Sequence, residues 1–342
     1  MQITKSALYD RFRCIASACP DSCCKEWDVQ VDRDSAEYYR ALTGPLGDRL
    51  RQVLTTDPEL GTVMAIENGR CPMWRQDGLC RIQVELGGDA LCQVCREFPR
   101  LRHDYGDFME LGLELSCPEA ARLILTSPDL PPVTYEIPGG GEPEYDTAAM
   151  KLLLRTRAEM LELLREPRSV GESLALGLMY GYHAQTQLDG GEPAAFVPDA
   201  ALAEARAFAK PADSSALPAF FAGLEILTDQ WRHRLAHTAD SAWSEPLRAL
   251  ARYGVERYWL QAVSDYDLIG RVKMIVSSCL LVKALGGNPV ETAQLYSKEI
   301  ENDADNVDAI LDAAYTHPAF TDDKLLWLLL NGSRPDLYKN HR

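Results

Sequence analysis

Nine of the ten cysteines of this 342-residue chain lie within its first 117 residues, at Cys14, Cys19, Cys23, Cys24, Cys71, Cys80, Cys92, Cys95 and Cys117; the tenth is Cys279. A segment that gathers so many thiols folds around them, as a disulfide framework or as a metal site. Disulfides need an oxidising compartment, and the opening Met1-Gln2-Ile3-Thr4-Lys5-Ser6 runs into polar sequence without the apolar core of an export signal. A chain of this size also buries a core without covalent staples. The expectation is a reduced, cytoplasmic metalloprotein.

Charge and hydropathy narrow the partners. The net charge is −16, with 46% hydrophobic and 25% charged residues, which describes a packed globular protein and not a disordered one. Nine of the excess negative charges fall in residues 1–145 and seven in the rest. Phosphate contacts need clustered Lys and Arg, so neither nucleic acid nor an anionic membrane surface is an expected partner. The longest strongly apolar run, Leu325 to Leu330, is far too short to span a bilayer.

The pattern along the chain predicts a mainly α protein: a cysteine-rich α+β domain over residues 1–126, a linker over 127–145, and an all-α domain over 146–342. Trp27 to Val31, Thr62 to Glu67 and Phe108 to Leu115 read as strands. Asp34-Ser35-Ala36-Glu37 reads as a helix start with a capping acid. Residues 128–143 hold five prolines and Gly139-Gly140-Gly141, too many breakers for a regular element. Beyond them, Val272, Ile275, Cys279 and Val282 recur at helical spacing, as do Leu247, Leu250, Ala251, Gly254 and Tyr258, giving about eight helices with one apolar face each.

Thiolates are soft donors that suit zinc and iron–sulfur clusters, and either site closes with four of them. Cys14-x4-Cys19-x3-Cys23-Cys24 supplies four in a tight run. Neighbouring side chains diverge, so Cys23 and Cys24 do not readily serve one mononuclear metal, and two sites, or a cluster with a second metal, stay open. Asp77-Gly78 forms a turn that brings Cys71 and Cys80 together, and Cys92-x2-Cys95 has the spacing of a metal knuckle or a redox pair. Ser116-Cys117-Pro118-Glu119 reads as a capping box, which places the Cys117 thiol at a helix N-terminus and lowers its pKa. Cys279, on an apolar helix face far from the rest, is a core residue. The Cys-x3-Cys-x2-Cys of radical enzymes is absent, because Glu26 stands where the third cysteine is required.

Other candidates are weaker. His233 and His237 have zinc-binding spacing but lack the intervening glutamate and read as a solvated face. Arg96, Arg100, Arg102 and His103 form a basic patch beside Cys95 that offsets thiolate charge, holds a ligand carboxylate or makes ordinary surface salt bridges. The acidic stretch from Glu299 to Asp312 is a solvated helix face or an attractor for a cationic substrate. Gly139-Gly140-Gly141 lacks the following Lys and Ser/Thr of a phosphate loop.

The ordered set Tyr9-Asp10-Arg11-Phe12-Arg13-Cys14-Ile15, Cys19-Pro20-Asp21-Ser22-Cys23-Cys24-Lys25-Glu26-Trp27, Gly78-Leu79-Cys80-Arg81-Ile82-Gln83, Cys95-Arg96-Glu97-Phe98-Pro99-Arg100 and Leu115-Ser116-Cys117-Pro118-Glu119-Ala120-Ala121-Arg122 resembles the flagellin lysine-N-methylase family. Tyr296-Ser297-Lys298-Glu299-Ile300-Glu301 extends the match loosely into the second domain, and the first domain also resembles bacterial zinc- or iron-chelating cysteine-cluster proteins. The closer resemblance implies methylation of flagellin lysines from S-adenosylmethionine, with an iron–sulfur cluster, of the 4Fe-4S type or with zinc as the alternative. The expected metal ligands are Cys14, Cys19, Cys23, Cys24, Cys71, Cys80, Cys95 and Cys117, with Cys92 fitting the pattern least well. Arg96 and Arg100 are the expected cofactor-binding residues. Glu110 and Glu114, on the strand entering Ser116-Cys117, are the expected residues for orienting the amine, and the cofactor pocket is expected at the domain junction. Two other functions remain open on the sequence: a metal-chelating or cluster-carrying protein without catalysis, and a methylase of another protein.

Overall fold

The computed structural model describes residues 1–331; residues 332–342, the end of the expected helical domain, lie outside that range. The first third builds two small sheets. In one, β1 (Gln2–Lys5) runs parallel to β6 (Phe108–Leu113) and antiparallel to β7 (Val133–Glu136), while β5 (Arg100–Asp104) forms a hairpin with β6, giving the order β5-β6-β1-β7. In the other, β4 (Gly61–Met64) lies antiparallel between β2 (Val29–Gln30) and β3 (Leu54–Asp57).

Helices α1 (Arg33–Ala41), α2 (Gly44–Val53), α3 (Arg81–Leu86) and α4 (Gln93–Glu97) surround the second sheet, and α5 (Pro118–Thr126) follows the first. The cap of α1 is Asp32, two residues before the expected acid, and its carboxylate accepts from Ser35 N–H at 2.9 Å. Its second oxygen accepts from Gln93 N–H at 2.7 Å, so one aspartate ties the starts of α1 and α4 together.

Residues 127–145, expected to be a structureless linker, contain β7. The prolines fall on either side of Val133-Thr134-Tyr135-Glu136, and β7 lies at a sheet edge, where missing N–H donors are tolerated.

Ten α-helices occupy the described part of the second half: α6 (Thr147–Arg165), α7 (Val170–Leu188), α8 (Pro198–Phe208), α9 (Ala216–Phe221), α10 (Asp229–Ala236), α11 (Glu245–Tyr258), α12 (Leu268–Leu285), α13 (Pro289–Tyr296), α14 (Ala304–Thr316) and α15 (Asp322–Asn331). Local chemistry sets their starts. Asp146 caps α6, and Ser169 with Glu172 forms a reciprocal capping box on α7. A π-helical turn, Ser297–Glu301, continues α13.

The central helix α12 is buried nearly all round, including Arg271, Lys273 and Lys283, and not on a single face. Its three cations are held by Asp265, Asp322 and Asp240 respectively, which makes their burial tolerable. Close approach comes from glycines. A Cβ on Gly254 of α11 would lie 2.9 Å from Ile275, and one on Gly181 of α7 would lie 3.0 Å from Val272.

Two hydrophobic cores result. The smaller joins Val29, Tyr39, Leu50, Met64, Met73 and Ile82 with Cys71 and Cys92. The larger runs from Phe12, Leu113 and Cys117 through α5 into the whole helical region. The α+β first third and the all-helical remainder therefore share one continuous core along the β6–α5 edge. Among the described residues, no helix is long and apolar enough to cross a membrane.

Candidate active site at the thiol pocket

The cavity at the seam of the two cores has a volume of about 830 Å³ and is walled by seven cysteines: Cys14, Cys19, Cys23, Cys24, Cys80, Cys95 and Cys117. Cys71 and Cys92 stand behind that wall, buried in the smaller core. All ten cysteines are free thiols. The loop carrying Cys19 to Cys24 is bracketed by Ala16 and Glu26, both non-glycine residues with positive φ, at 50° and 68°. Such backbone costs about 1–2 kcal/mol at each position and persists where the surroundings fix it.

The thiols meet as hydrogen-bonded pairs. Cys24 contacts both Cys23 and Cys71, and Cys92 contacts Cys95. The Cys71 N–H also donates to the Cys24 carbonyl at 2.8 Å. The shifts within the pairs are opposite in sign: the Cys24 contact lowers the pKa of Cys71 and the Cys95 contact lowers that of Cys92, whereas Cys23 and Cys95 are pushed up by their partner thiols and by burial.

Cys117 behaves differently from expectation. It is the N-cap of α5, but no side chain caps the helix: Glu119 pairs with Arg122, and the Ser116 hydroxyl donates to Glu114. Burial therefore outweighs the helix N–H groups and pushes the Cys117 thiol up to about 11. Cys279 is fully buried in α12 and belongs to the core.

Among the described residues, no three His, Cys, Asp or Glu side chains come together in an arrangement that could hold a metal ion. The donors that line the cavity are soft thiols, the type that zinc and iron–sulfur clusters take.

The helical region supplies the opposite wall. Lys298, in the π-helical turn, forms ion pairs with Asp21 at 3.1 Å and Glu26 at 2.5 Å. Burial alone would lower the Lys298 ammonium, but Glu26 and Asp21 outweigh it and hold it above its usual range. Gln294 donates to the Ser116 carbonyl at 2.7 Å. Glu225, Leu227, Asn302 and Asp303 complete the lining. Sequence reasoning missed this wall as a site, although the weak match over Tyr296–Glu301 and the acidic stretch both pointed to the segment. That stretch does several jobs: Asp303 caps α14, Glu299 accepts from Leu227 N–H at 2.8 Å, and Asp305 and Asp308 are exposed.

The remaining candidates separate. Arg96 and Arg100 line the cavity, with Arg100 over the rings of Tyr9 and Phe12. Arg102 faces outward to Asp104, and His103, on the opposite face of β5, lines a second cavity of about 190 Å³. Glu114 lies in the thiol cavity, 3.5 Å from the Asn302 amide.

Glu110 does not join it. It lines the second cavity and is held by Arg157 of α6 at 2.5 and 2.8 Å. Strand alternation puts Glu110 and Glu114 on one face, but β6 ends at Leu113 and the chain turns before Glu114. Glu110→Ala would strand a half-buried guanidinium and is expected to cost about 2 kcal/mol, read by chemical denaturation. His233 and His237 stack with ring centres 4.2 Å apart on an exposed face.

No family model and no solved structure matches the chain. Over 133 residues it is 33% identical to the flagellar biosynthetic protein FliU of Salmonella muenchen, a match covering 37% of this chain and 79% of that protein. The chain belongs to the family of FliU and the flagellin lysine-N-methylases. Its match to the lysine-N-methylase of Salmonella typhimurium is 34% identical over 133 residues, and that to the lysine-N-methylase of Salmonella choleraesuis is 33% identical over the same length. Each covers 37% of this chain but only a third of the relative's own length.

Proposed function

We propose that this chain is a cytoplasmic protein-lysine N-methyltransferase that uses S-adenosylmethionine and acts on surface lysines of flagellin. The carrying observation is the 830 Å³ cavity between thiol loop and helical wall, within the size range of small-molecule sites and lined by both cationic and acidic side chains. Family membership supports the reaction class.

S-adenosylmethionine, when bound, supplies an electrophilic methyl group that passes to the lysine nitrogen as its bond to sulfur breaks. The chain's own work is to hold both partners and manage the proton. Arg96 and Arg100 suit the donor's carboxylate, as forked cations at one side of the cavity. The ammonium of the incoming lysine is inert until it loses a proton. Glu114, with Glu225 and Asp303 along the same cavity, attracts the cation, and Glu114 accepts the proton. Nitrogen is already a nucleophile once neutral, so no radical is required.

Four of Cys14, Cys19, Cys23, Cys24, Cys71, Cys80, Cys95 and Cys117 would hold an iron–sulfur cluster (4Fe-4S, or zinc in its place), whose contribution would be to fix the loop that forms the cavity.

Anaerobically purified protein is expected to bind S-adenosylmethionine in calorimetry and to convert it to S-adenosylhomocysteine with flagellin. Glu114→Gln should lower kcat about 100-fold with binding of the donor retained. Formation of 5′-deoxyadenosine in step with methylation would overturn the polar mechanism. Absence of donor binding would leave a metal-carrying protein instead.

A further inference from the structure

We propose that the second cavity, between the β5–β6 hairpin and helices α6 and α11, is a binding site for a small apolar α-amino acid, whose carboxylate meets Arg252 and whose ammonium meets Glu256. The cavity shares no lining residue with the thiol cavity, so such a site is independent of methyl transfer.

Most charged groups around this cavity satisfy one another. Arg157 is held by Glu110, Arg165 by Asp129 at 2.7 Å, and Arg257 by Glu301 at 3.2 Å. Two groups are left over. Arg252 makes no side-chain hydrogen bond among the described residues; it stands 3.6 Å from Asp129, beyond hydrogen-bond reach, and its side chain is only 16% exposed. Glu256 meets Arg157 through its backbone carbonyl, at 3.4 Å, while its carboxylate has no hydrogen-bond or ion-pair partner among the described residues.

Arg252 and Glu256 lie one turn apart on α11, the spacing at which opposite charges commonly pair, yet both line the cavity without reaching each other. Arg252 alone would call for an anion and Glu256 alone for a cation. The lining as a whole carries four arginines and three carboxylates, so a simple cation meets repulsion from the first and a simple anion from the second. A ligand bearing both charges satisfies both groups. Burial raises the Glu256 carboxyl even with Arg252 and Arg157 nearby, and a bound ammonium would offset that cost. His103 adds a neutral imidazole, held below its usual range by burial and by Arg257, with no hydrogen-bond partner among the described residues.

The rest of the wall is apolar, from Leu113 of β6, Ile124 of α5, Leu130, and Leu161 of α6. A polar end facing an aliphatic wall matches the head and side chain of an amino acid such as leucine. The volume of about 190 Å³ lies below the roughly 300–1,000 Å³ of sites for drug-sized molecules, which suits a single amino acid and not a nucleoside-bearing methyl donor.

The test is calorimetric titration of the anaerobically purified full chain with L-leucine, with 4-methylpentanoate, which lacks the ammonium, and with isoamylamine, which lacks the carboxylate. L-leucine should bind at one site per chain, and each of the other two at least tenfold more weakly. Glu256→Gln and Arg252→Gln should each weaken leucine at least tenfold while binding of S-adenosylmethionine is unchanged. A melting curve checks that each variant is folded; if Arg252→Gln is not, Glu256→Gln decides, since that carboxylate leaves no partner behind. No binding of leucine, or binding that Glu256→Gln leaves intact, overturns the proposal. Equal affinity for 4-methylpentanoate would leave a plain anion site and overturn the zwitterion reading. Displacement of leucine by S-adenosylmethionine would place the donor's own amino-acid end here and overturn a separate site.

Discussion

Arg257→Met is expected to destabilise the protein by about 3–5 kcal/mol, the range for removing one partner of a buried ion pair. Arg257 in α11 pairs with Glu301 at 3.2 Å, and the two side chains are only 11% and 5% exposed. Glu301 also accepts from the Tyr253 hydroxyl at 3.0 Å and the Ser297 hydroxyl at 2.5 Å, and Arg257 donates to Tyr253. The network is satisfied as it stands. Removing the cation leaves a carboxylate buried beside Tyr253, and hydroxyl donors alone do not offset its desolvation. Urea unfolding monitored by circular dichroism reads the loss. The double variant Arg257→Met/Glu301→Gln should recover much of it, because the uncompensated charge is then gone. A single variant within 1 kcal/mol of wild type would refute this account of the network.

Lys298→Met should act on function more than on stability. The ammonium joins the helical wall of the cavity to Asp21 and Glu26 of the thiol loop. Its partners are 23% and 30% exposed, so the pair lies between a surface and a buried bridge and its loss should cost about 2 kcal/mol. The larger effect is geometric. Without the cation, Glu26 faces the acidic wall unpaired and Asp21 keeps only Lys25, and repulsion opens the cavity where the reactants must be aligned. A misplacement of about 1 Å costs on the order of 100-fold in rate, so kcat/KM for methyl transfer should fall by at least tenfold. Lys298→Arg, which retains the charge, should restore part of it. Equal kinetics for Lys298→Met and wild type would show that the seam does not position the site. Since the same turn carries Glu301 on the Arg257 network, the two variants probe two sides of one π-helical segment, a feature frequent at functional sites.

Particular residues show how far a linear reading reaches. The clustering of cysteines, the α+β character of the first third and the helical remainder follow from composition and periodicity, because those signals are local. Cys279 was legible as core for the same reason. The start of α1 is displaced by two residues, since Asp32 serves α4 as well as α1 and only the fold brings Gln93 to it. The strand β7 was hidden by its flanking prolines, since its stability comes from pairing with β1, more than a hundred residues away. The expected low pKa of Cys117 took account of the helix terminus but not of its burial against Phe12 and α5, which decides the sign. Glu110 and Glu114 seemed equivalent by spacing, and the end of one strand sends them to different cavities.

The sequence by itself carried the local signals of this chain: thiols in a number and spacing of the kind soft metals take, an acidity spread over both halves, and motifs in an order shared with one family. Tertiary structure alone decided where that chemistry converges. It folded the thiols onto two cores, placed the cavity at their seam, and supplied its far wall from Lys298 to Asp303, nearly two hundred residues beyond Cys117. The physical reason is that donor type and helical periodicity are properties of short segments, whereas burial, charge pairing and convergence depend on which segments share a core.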